Sequence, residues 1–282
     1  VDLNISNAYF ASAAKPILPS SLFWEVTADK GIDFIHKETF FYDFGFQQLL
    51  PQKYSQLGPF ITEGDVNGDG LTDFFVGGAT TQSGRFFIQQ RDGRFTGKDL
   101  QTGVKLQEDL GCLLFDADGD KDPDLFINSG SNEYAPGSVN YLPRLYKNDG
   151  AGNFTVDPQA FPATIFTSAQ TVAAEDYDGD GDMDLFIGGR ISPNQYPVTP
   201  QSYLLQNTGG RFSIVTSEVC ADLERVGMVT AAVWTDFNND QKPDLIVAGE
   251  WMTLRFFLNQ HGKLKEVTGE TGLKNMNGYC CR

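Results

Sequence analysis

The sequence predicts an all-β protein built from a repeated unit of four antiparallel strands. An Asp-rich nonapeptide recurs four times, each copy lies between two short apolar runs, and two further apolar runs joined by a Gly-containing turn follow each copy. Repeated four-stranded units with little helical periodicity are typical of the blades of a β-propeller. A β-sandwich of evenly spaced strands is the alternative, but it does not explain why one loop chemistry returns at one point of every unit.

The four nonapeptides align without gaps and begin 51, 60 and 60 residues apart. They are called Asp loops 1 to 4 and comprise residues 65–73 (DVNGDGLTD), 116–124 (DADGDKDPD), 176–184 (DYDGDGDMD) and 236–244 (DFNNDQKPD). Apolar runs follow them at residues 74–78, 125–127, 185–189 and 245–249, so each loop is predicted to join the first two strands of a blade. Turns of Asn, Asp and Gly within residues 85–95, 144–154, 203–212 and 254–264 predict the hairpin of the third and fourth strands.

Two similar segments, residues 23–32 and 264–273, open and close the set of repeats. The second supplies the fourth strand of the fourth blade, so the first is predicted to be a spare outer strand. In a closed ring such a strand completes the last blade. We therefore expect four blades of a larger ring within residues 23–282, further blades after residue 282, and an extended lead-in over residues 1–22.

The net charge of the chain limits the kinds of molecule that it can bind. Lys and Arg number 21 against 37 Asp and Glu, a net charge of −16 that repels nucleic acid and attracts cations. No apolar run approaches the roughly 18 to 20 residues of a transmembrane helix. The four cysteines show no zinc-binding spacing. Cys280 and Cys281 are adjacent near the last residue, and the pattern does not decide whether they are part of the native structure.

Asp or Asn occupies positions 1, 3, 5 and 9 of every Asp loop, and such alternation directs oxygen atoms inward in a tightly wound loop. A hard cation that takes six to eight oxygen ligands suits it, so we expect about four structural Ca²⁺ ions. The side-chain ligands are predicted to be Asp65, Asn67, Asp69, Asp73, Asp116, Asp118, Asp120, Asp124, Asp176, Asp178, Asp180, Asp184, Asp236, Asn238, Asp240 and Asp244. Position 7 varies, so only the backbone carbonyls of Leu71, Asp122, Asp182 and Lys242 are common candidates there.

Three other interpretations fit the loops less well. An EF-hand needs Glu at position 12, where this sequence has Val or Ile. Ordinary polar turns explain one Asp-Gly-Asp run, but a turn needs no carboxylate at its ninth residue. Catalytic Asp pairs require different environments, whereas these four sets are equivalent copies.

The pattern resembles the FG-GAP and VCBS repeats of integrin α-subunit propellers and of secreted bacterial proteins. Residues 74–79 (FFVGGA) and 185–189 (LFIGG) carry the likeness, and residues 23–32 and 34–38 add a likeness to bacterial surface proteins related to the ASPIC/UnbV group. The resemblance implies a calcium-bearing propeller, usually of seven blades, at a cell surface or outside the cell. It implies no particular activity.

Antiparallel alternation places the Asp loops at one end of the blades and the variable insertions at the other, which we call the insertion face. The insertions are residues 36–56, 129–143, 190–202 and the short 250–252. Aromatic and Arg side chains suit protein or sugar contacts, so ligand contacts are predicted at Tyr134, Arg190, Tyr196 and Trp251. His36, the one His in these insertions, is interpreted as a solvated surface residue.

The favoured function is a non-catalytic binding or scaffold module for a protein or glycan, extracellular or on the cell surface. The alternative is a propeller enzyme, a lyase or hydrolase, acting on an extracellular polysaccharide, although common hydrolase and nucleotide-binding motifs are missing from the sequence. A purely structural spacer is the third possibility.

Overall fold

A computed structural model describes residues 23–275 and the backbone of residues 277–279. The predicted lead-in over residues 1–22, as well as Cys280 and Cys281, lie outside the described residues.

The described chain forms four antiparallel sheets, each with its four strands in chain order. Sheet 1 comprises β1 (Ile61–Gly64), β2 (Asp73–Val76), β3 (Arg85–Gln89) and β4 (Phe95–Asp99); sheet 2 comprises β5 (Glu108–Phe115), β6 (Asp124–Gly130), β7 (Arg144–Asn148) and β8 (Phe154–Asp157). Sheet 3 comprises β9 (Ser168–Glu175), β10 (Asp184–Ile191), β11 (Tyr203–Thr208) and β12 (Arg211–Ile214); sheet 4 comprises β13 (Met228–Thr235), β14 (Asp244–Thr253), β15 (Arg255–Asn259) and β16 (Leu264–Glu266), with β17 (Asn277–Tyr279) paired to β14.

Helices in the described residues are short. They are α1 (Thr27–Lys30), α2 (Asp43–Phe46) and α3 (Thr216–Cys220), together with 3₁₀ turns at Val139–Tyr141, Ala221–Leu223 and Thr268–Glu270. None of the helices within this part of the chain has the length and apolar character needed to cross a bilayer.

The prediction of a spare outer strand near residue 23 is wrong. Residues 23–26 form no strand and lead directly into α1, which ends at Gly31 in the left-handed conformation. The similar segment at residues 264–273 pairs β16 with β15 and then makes the 3₁₀ turn Thr268–Glu270. What the two segments share is therefore the helical turn after Val26 and Val267.

The hydrophobic core lies between consecutive sheets rather than in one central mass. Phe75 and Phe86 of sheet 1 pack against Leu125 and Ile127 of sheet 2, and comparable clusters join sheets 2 and 3 and sheets 3 and 4. The first strands are neighbours as well, because the amide of Leu114 in β5 donates to Thr62 Oγ1 in β1 at 3.1 Å. Sheets stacked face to face in chain order, with their first strands adjacent, form the propeller architecture that the repeats predict.

The Asp loops and the turns between third and fourth strands lie at the same end of the sheets. In sheets 2, 3 and 4, this turn packs against the Asp loop of the preceding sheet. Gly210, with φ of 85°, shows why the turn needs glycine: a Cβ there would lie 3.0 Å from Cβ of Asp118. The remaining connections form the insertion face at the opposite end, as predicted.

Candidate functional site

The four Asp loops share one internal hydrogen-bond pattern. The carboxylate at position 1 accepts the backbone N–H of position 6, as between Asp65 and Gly70 at 2.8 Å. The carboxylate at position 5 accepts the N–H of position 7, as between Asp69 and Leu71 at 2.9 Å. Positions 4 and 6 have positive φ in every loop, including Lys121 at 76°. The predicted ligand residues are thus wound into four equivalent turns, each with its carboxylates gathered by backbone amides.

The Asp at position 9 also has a structural function that its spacing does not reveal. These four residues, Asp73, Asp124, Asp184 and Asp244, are completely buried and accept a backbone N–H from the third strand of their own sheet at 2.7 to 2.8 Å. The carboxylate at the ninth residue therefore has a use in the turn itself, contrary to the expectation from the sequence. One oxygen of this residue fixes the loop to the sheet.

Two loops bring three carboxylates together. In Asp loop 2, one oxygen from each of Asp116, Asp118 and Asp120 lies within 4.8 Å of the other two. In Asp loop 3, the same holds for one oxygen from each of Asp176, Asp178 and Asp184. Asp118 Oδ1 and Asp184 Oδ2 are buried and have no hydrogen-bond partner among the described residues. Burial raises the pKa of Asp184 to about 7, although the N–H of Asn207 opposes the shift. Oxygen atoms with this arrangement fit a divalent cation.

Asp loops 1 and 4 differ at position 3. Asn67 accepts the N–H of Asp69 and donates its own amide to Asp69 Oδ2 at 3.1 Å, and Asn238 bonds to Asp240 in the same way. Within the described part of the chain, neither loop brings three carboxylates within 4.8 Å. The Asn at position 3 therefore donates a hydrogen bond to Oδ2 of the Asp at position 5. In Asp loops 2 and 3, this oxygen receives no such hydrogen bond.

An Asn at the end of the third strand forms the connection between sheets, and sequence reasoning missed it. Asn207 Nδ2 donates to the carbonyl of Ala117 in the preceding sheet at 2.8 Å and to Met183 in its own sheet at 3.1 Å. Asn148 and Asn259 do the same from their sheets. The signal in the sequence is the recurrence of Asn just before the Gly-containing turn.

The first insertion crosses the insertion face and contacts all four sheets. Lys37 hydrogen-bonds Gln82 near sheet 1, Thr39 bonds Glu133 near sheet 2, and Gln47 bonds the amide of Tyr196 near sheet 3. Tyr54 Oη donates to Glu250 of sheet 4 at 2.7 Å. Residues 36–56 are thus a strap across this end, and we use that name below.

Arg190, a predicted ligand contact, is buried beneath the strap. Its side chain is 2% exposed, forms a salt bridge with the buried Glu250, and places its guanidinium 4.8 Å from the ring centroid of Tyr54. Arg190 is therefore an internal residue of the insertion face, because its charge is balanced inside the protein. The sequence signal is that Arg190 and Glu250 occupy equivalent positions, six residues after their Asp loops.

Trp251 lies at the surface, but in a strand rather than in a short insertion. It belongs to β14, where a register shift against β17 and a φ of 56° direct it outward while Glu250 and Met252 point inward. The indole is 64% exposed and donates to Tyr196 Oη at 2.6 Å. Both residues line a cleft of about 810 Å³.

Tyr134 and His36 complete the predicted residues of this face. Tyr134 is half-buried and donates its hydroxyl to the carbonyl of Leu106 at 2.8 Å. The interpretation of His36 as a solvated residue is wrong: its side chain is 13% exposed and bonds Glu38 at 2.8 Å.

The FG-GAP-like repeat family model matches residues 65–127 and 116–187, which include Asp loops 1, 2 and 3. No curated protein matches the chain. Among solved structures, the chain is similar to the exotype rhamnogalacturonan lyase YesX at 13% identity and a TM-score of 0.42, over 74% of this chain and 40% of that one. The chain thus spans about two fifths of that enzyme's length.

These findings confirm the resemblance to FG-GAP repeats, whereas the link to the ASPIC/UnbV group stays a prediction. Three of the four Asp loops lie within the matched residues, and the fourth has the same hydrogen-bond pattern. Residues 65–187 therefore resemble FG-GAP-like repeats.

Proposed function

We propose that this propeller is a non-catalytic, calcium-stabilised binding module of the extracellular space or cell surface, and that it takes a protein or glycan ligand at the insertion face. The observation that carries the proposal is the Trp251–Tyr196 pair at the cleft. A hydrogen bond at 2.6 Å holds the indole in a largely exposed position. An aromatic side chain fixed at the mouth of a cleft suits a ligand contact, because little conformational freedom is lost on binding.

In this proposal, the two ends of the sheets have different functions. At the loop end, acidic side chains are gathered by backbone amides, and Ca²⁺ would be held by the predicted oxygen ligands of Asp loops 2 and 3 first. Calcium would offset the repulsion between those carboxylates and stabilise the loops. At the insertion face, the strap and the Trp251 cleft present the surface that varies between repeats, where repeat proteins commonly bind.

The calcium part is tested by thermal unfolding with and without EGTA. At free calcium about 100 times the dissociation constant, each site stabilises the fold by about 2.7 kcal/mol, so chelation should lower the Tm sharply. Asp180→Ala should lose part of the calcium response, whereas Asp92→Ala, in the exposed turn between β3 and β4, should keep it. An unchanged Tm after proven removal of calcium would refute this part.

The binding part is tested with a glycan array and with immobilised extracellular proteins. Once a ligand is found, Trp251→Ala should weaken binding at least tenfold and leave the Tm nearly unchanged, because the indole is 64% exposed. Trp24→Ala is the matched control, since Trp24 is an exposed tryptophan away from the cleft. Binding that survives Trp251→Ala combined with Tyr196→Ala would refute the assignment of the cleft.

A further inference from the structure

A second cluster of metal-ligating side chains lies on the insertion face, away from the Asp loops. It consists of His36 and Glu38 at the start of the strap and Glu108, the first residue of β5. One ligand atom from each lies within 4.8 Å of the other two. The cluster unites two parts of the chain that are about seventy residues apart, so the tertiary fold assembles it.

Glu108 is the residue that calls for an explanation. It is 1% exposed, and neither of its carboxylate oxygens has a hydrogen-bond partner among the described residues. His36 Nδ1 and Glu38 Oε2 are likewise buried and make no hydrogen bond within residues 23–275. A buried carboxylate normally has a hydrogen-bonded partner, because burial without one is unfavourable.

The nearby cation does not supply that partner. Lys105 is 2% exposed, but its ammonium pairs with Asp109 at 2.6 Å and donates to the carbonyl of Gly78 at 2.7 Å. Glu133, the next carboxylate, accepts from Thr39 and Thr80 at 3.0 and 2.8 Å. The surroundings therefore favour added positive charge at this point.

We propose that His36, Glu38 and Glu108 bind one divalent transition-metal ion of the Zn²⁺ class, at a site distinct from the calcium loops. One imidazole nitrogen and two carboxylate oxygens form a donor set that Zn²⁺ accepts in proteins, whereas Ca²⁺ prefers oxygen ligands alone. Ligands of a tetrahedral ion with bonds of about 2.1 Å lie about 3.4 Å apart, so side-chain rotation has to close the cluster only slightly.

A fourth ligand would complete the coordination of such an ion. Three protein ligands leave one position of a tetrahedral ion for water or for an oxygen of a bound molecule. The side chains of His36 and Glu38 are 13% and 19% exposed, so the cluster is accessible to solvent at one edge. Gly58 forms the wall behind the imidazole, and a Cβ there would lie 3.1 Å from His36 Nε2.

The test is a Zn²⁺ titration by calorimetry of the full chain, stripped of metal and then held in excess Ca²⁺. We expect one saturable Zn²⁺ site that weakens at least tenfold in His36→Ala and in Glu108→Gln. The matched control is His261→Ala, which removes the other histidine, an exposed residue of the turn between β15 and β16. If the Asp loops do not bind Ca²⁺, the loss of Zn²⁺ affinity in His36→Ala and Glu108→Gln still identifies this site, so failure of the calcium proposal leaves the result interpretable.

A crystal soaked in Zn²⁺ and measured at the zinc absorption edge provides the second readout, should His36→Ala fail to fold. An anomalous peak between His36 and Glu108 supports the site. The proposal is overturned by a peak confined to the Asp loops, by the lack of a saturable Zn²⁺ site in the wild-type chain, or by equal affinities of Glu108→Gln and wild type.

Discussion

Asn207 Nδ2 lies 2.8 Å from the carbonyl oxygen of Ala117, and this hydrogen bond joins the third strand of sheet 3 to the Asp loop of sheet 2. The side-chain oxygen of the same residue, Asn207 Oδ1, accepts the N–H of Gly210 at 2.9 Å. One buried side chain thus connects its own hairpin, its own loop and the preceding sheet.

Replacing Asn207 by Ala should lower the free energy of unfolding by about 1 to 3 kcal/mol, because it leaves the buried carbonyl of Ala117 unsatisfied. Urea unfolding measures the change. Gln159→Ala is the control, since Gln159 is an exposed amide in a turn of the same region. A loss no larger than that of the control would show that water replaces the hydrogen bond without cost.

The four Asp loops should differ in calcium affinity. Asp loops 2 and 3 offer four carboxylates at the predicted ligand positions, whereas Asn67 and Asn238 reduce the number in Asp loops 1 and 4. We expect Asp120→Ala and Asp180→Ala to abolish the tighter binding steps in a calcium titration, and Asp69→Ala and Asp240→Ala to abolish the weaker ones. Equal loss in all four variants would indicate that loop rigidity, not ligand charge, sets the affinity.

Arg190→Met should destabilise the protein by about 3 to 5 kcal/mol, because it leaves the carboxylate of Glu250 buried without its cation. The double variant Arg190→Met with Glu250→Gln should recover part of that loss. Urea unfolding of both single variants and the double variant gives the coupling energy. Strictly additive losses would contradict the ion pair as the cause.

Asp109 should make stability depend on acid pH. Burial alone would raise its pKa, but Arg144 and Lys105, each 2.6 Å away, outweigh burial and hold the pKa below its ordinary value. A lowered carboxyl pKa contributes stability above the ordinary value of about 3.9, and that stability is lost as the pH falls through the folded-state pKa.

Thermal unfolding of wild type and Asp109→Asn between about pH 6 and pH 3 measures this contribution. The Tm of wild type should exceed that of the variant at pH 6, and the difference should shrink as the pH falls. Asp92→Asn, which replaces an exposed carboxylate, should show no such narrowing. A gap that stays constant with pH would mean that Asp109 acts through packing rather than charge.

Local patterns in the sequence predict the strands and the Asp loops, because the apolar runs and the spacing of Asp repeat in each unit. They do not predict pairings between units. The sequence predicts Arg190 to be a surface contact, because it does not show that Glu250 lies beside it. It predicts His36 to be solvated, because it does not show that the strap brings His36 to Glu108. The segment at residues 23–32 misled for a related reason: its likeness to residues 264–273 encodes a helical turn, whereas strand formation also needs a neighbouring strand.

The inter-sheet hydrogen bond of Asn148, Asn207 and Asn259 bears on how such a protein can grow in evolution. Each donor lies within its own repeat, whereas each acceptor is a main-chain carbonyl, at Val66, Ala117 and Tyr177. Every residue type has a main-chain carbonyl, so the three acceptor residues have diverged in size without losing the hydrogen bond. A duplicated repeat therefore includes the Asn donor that binds it to the main chain of whichever copy precedes it.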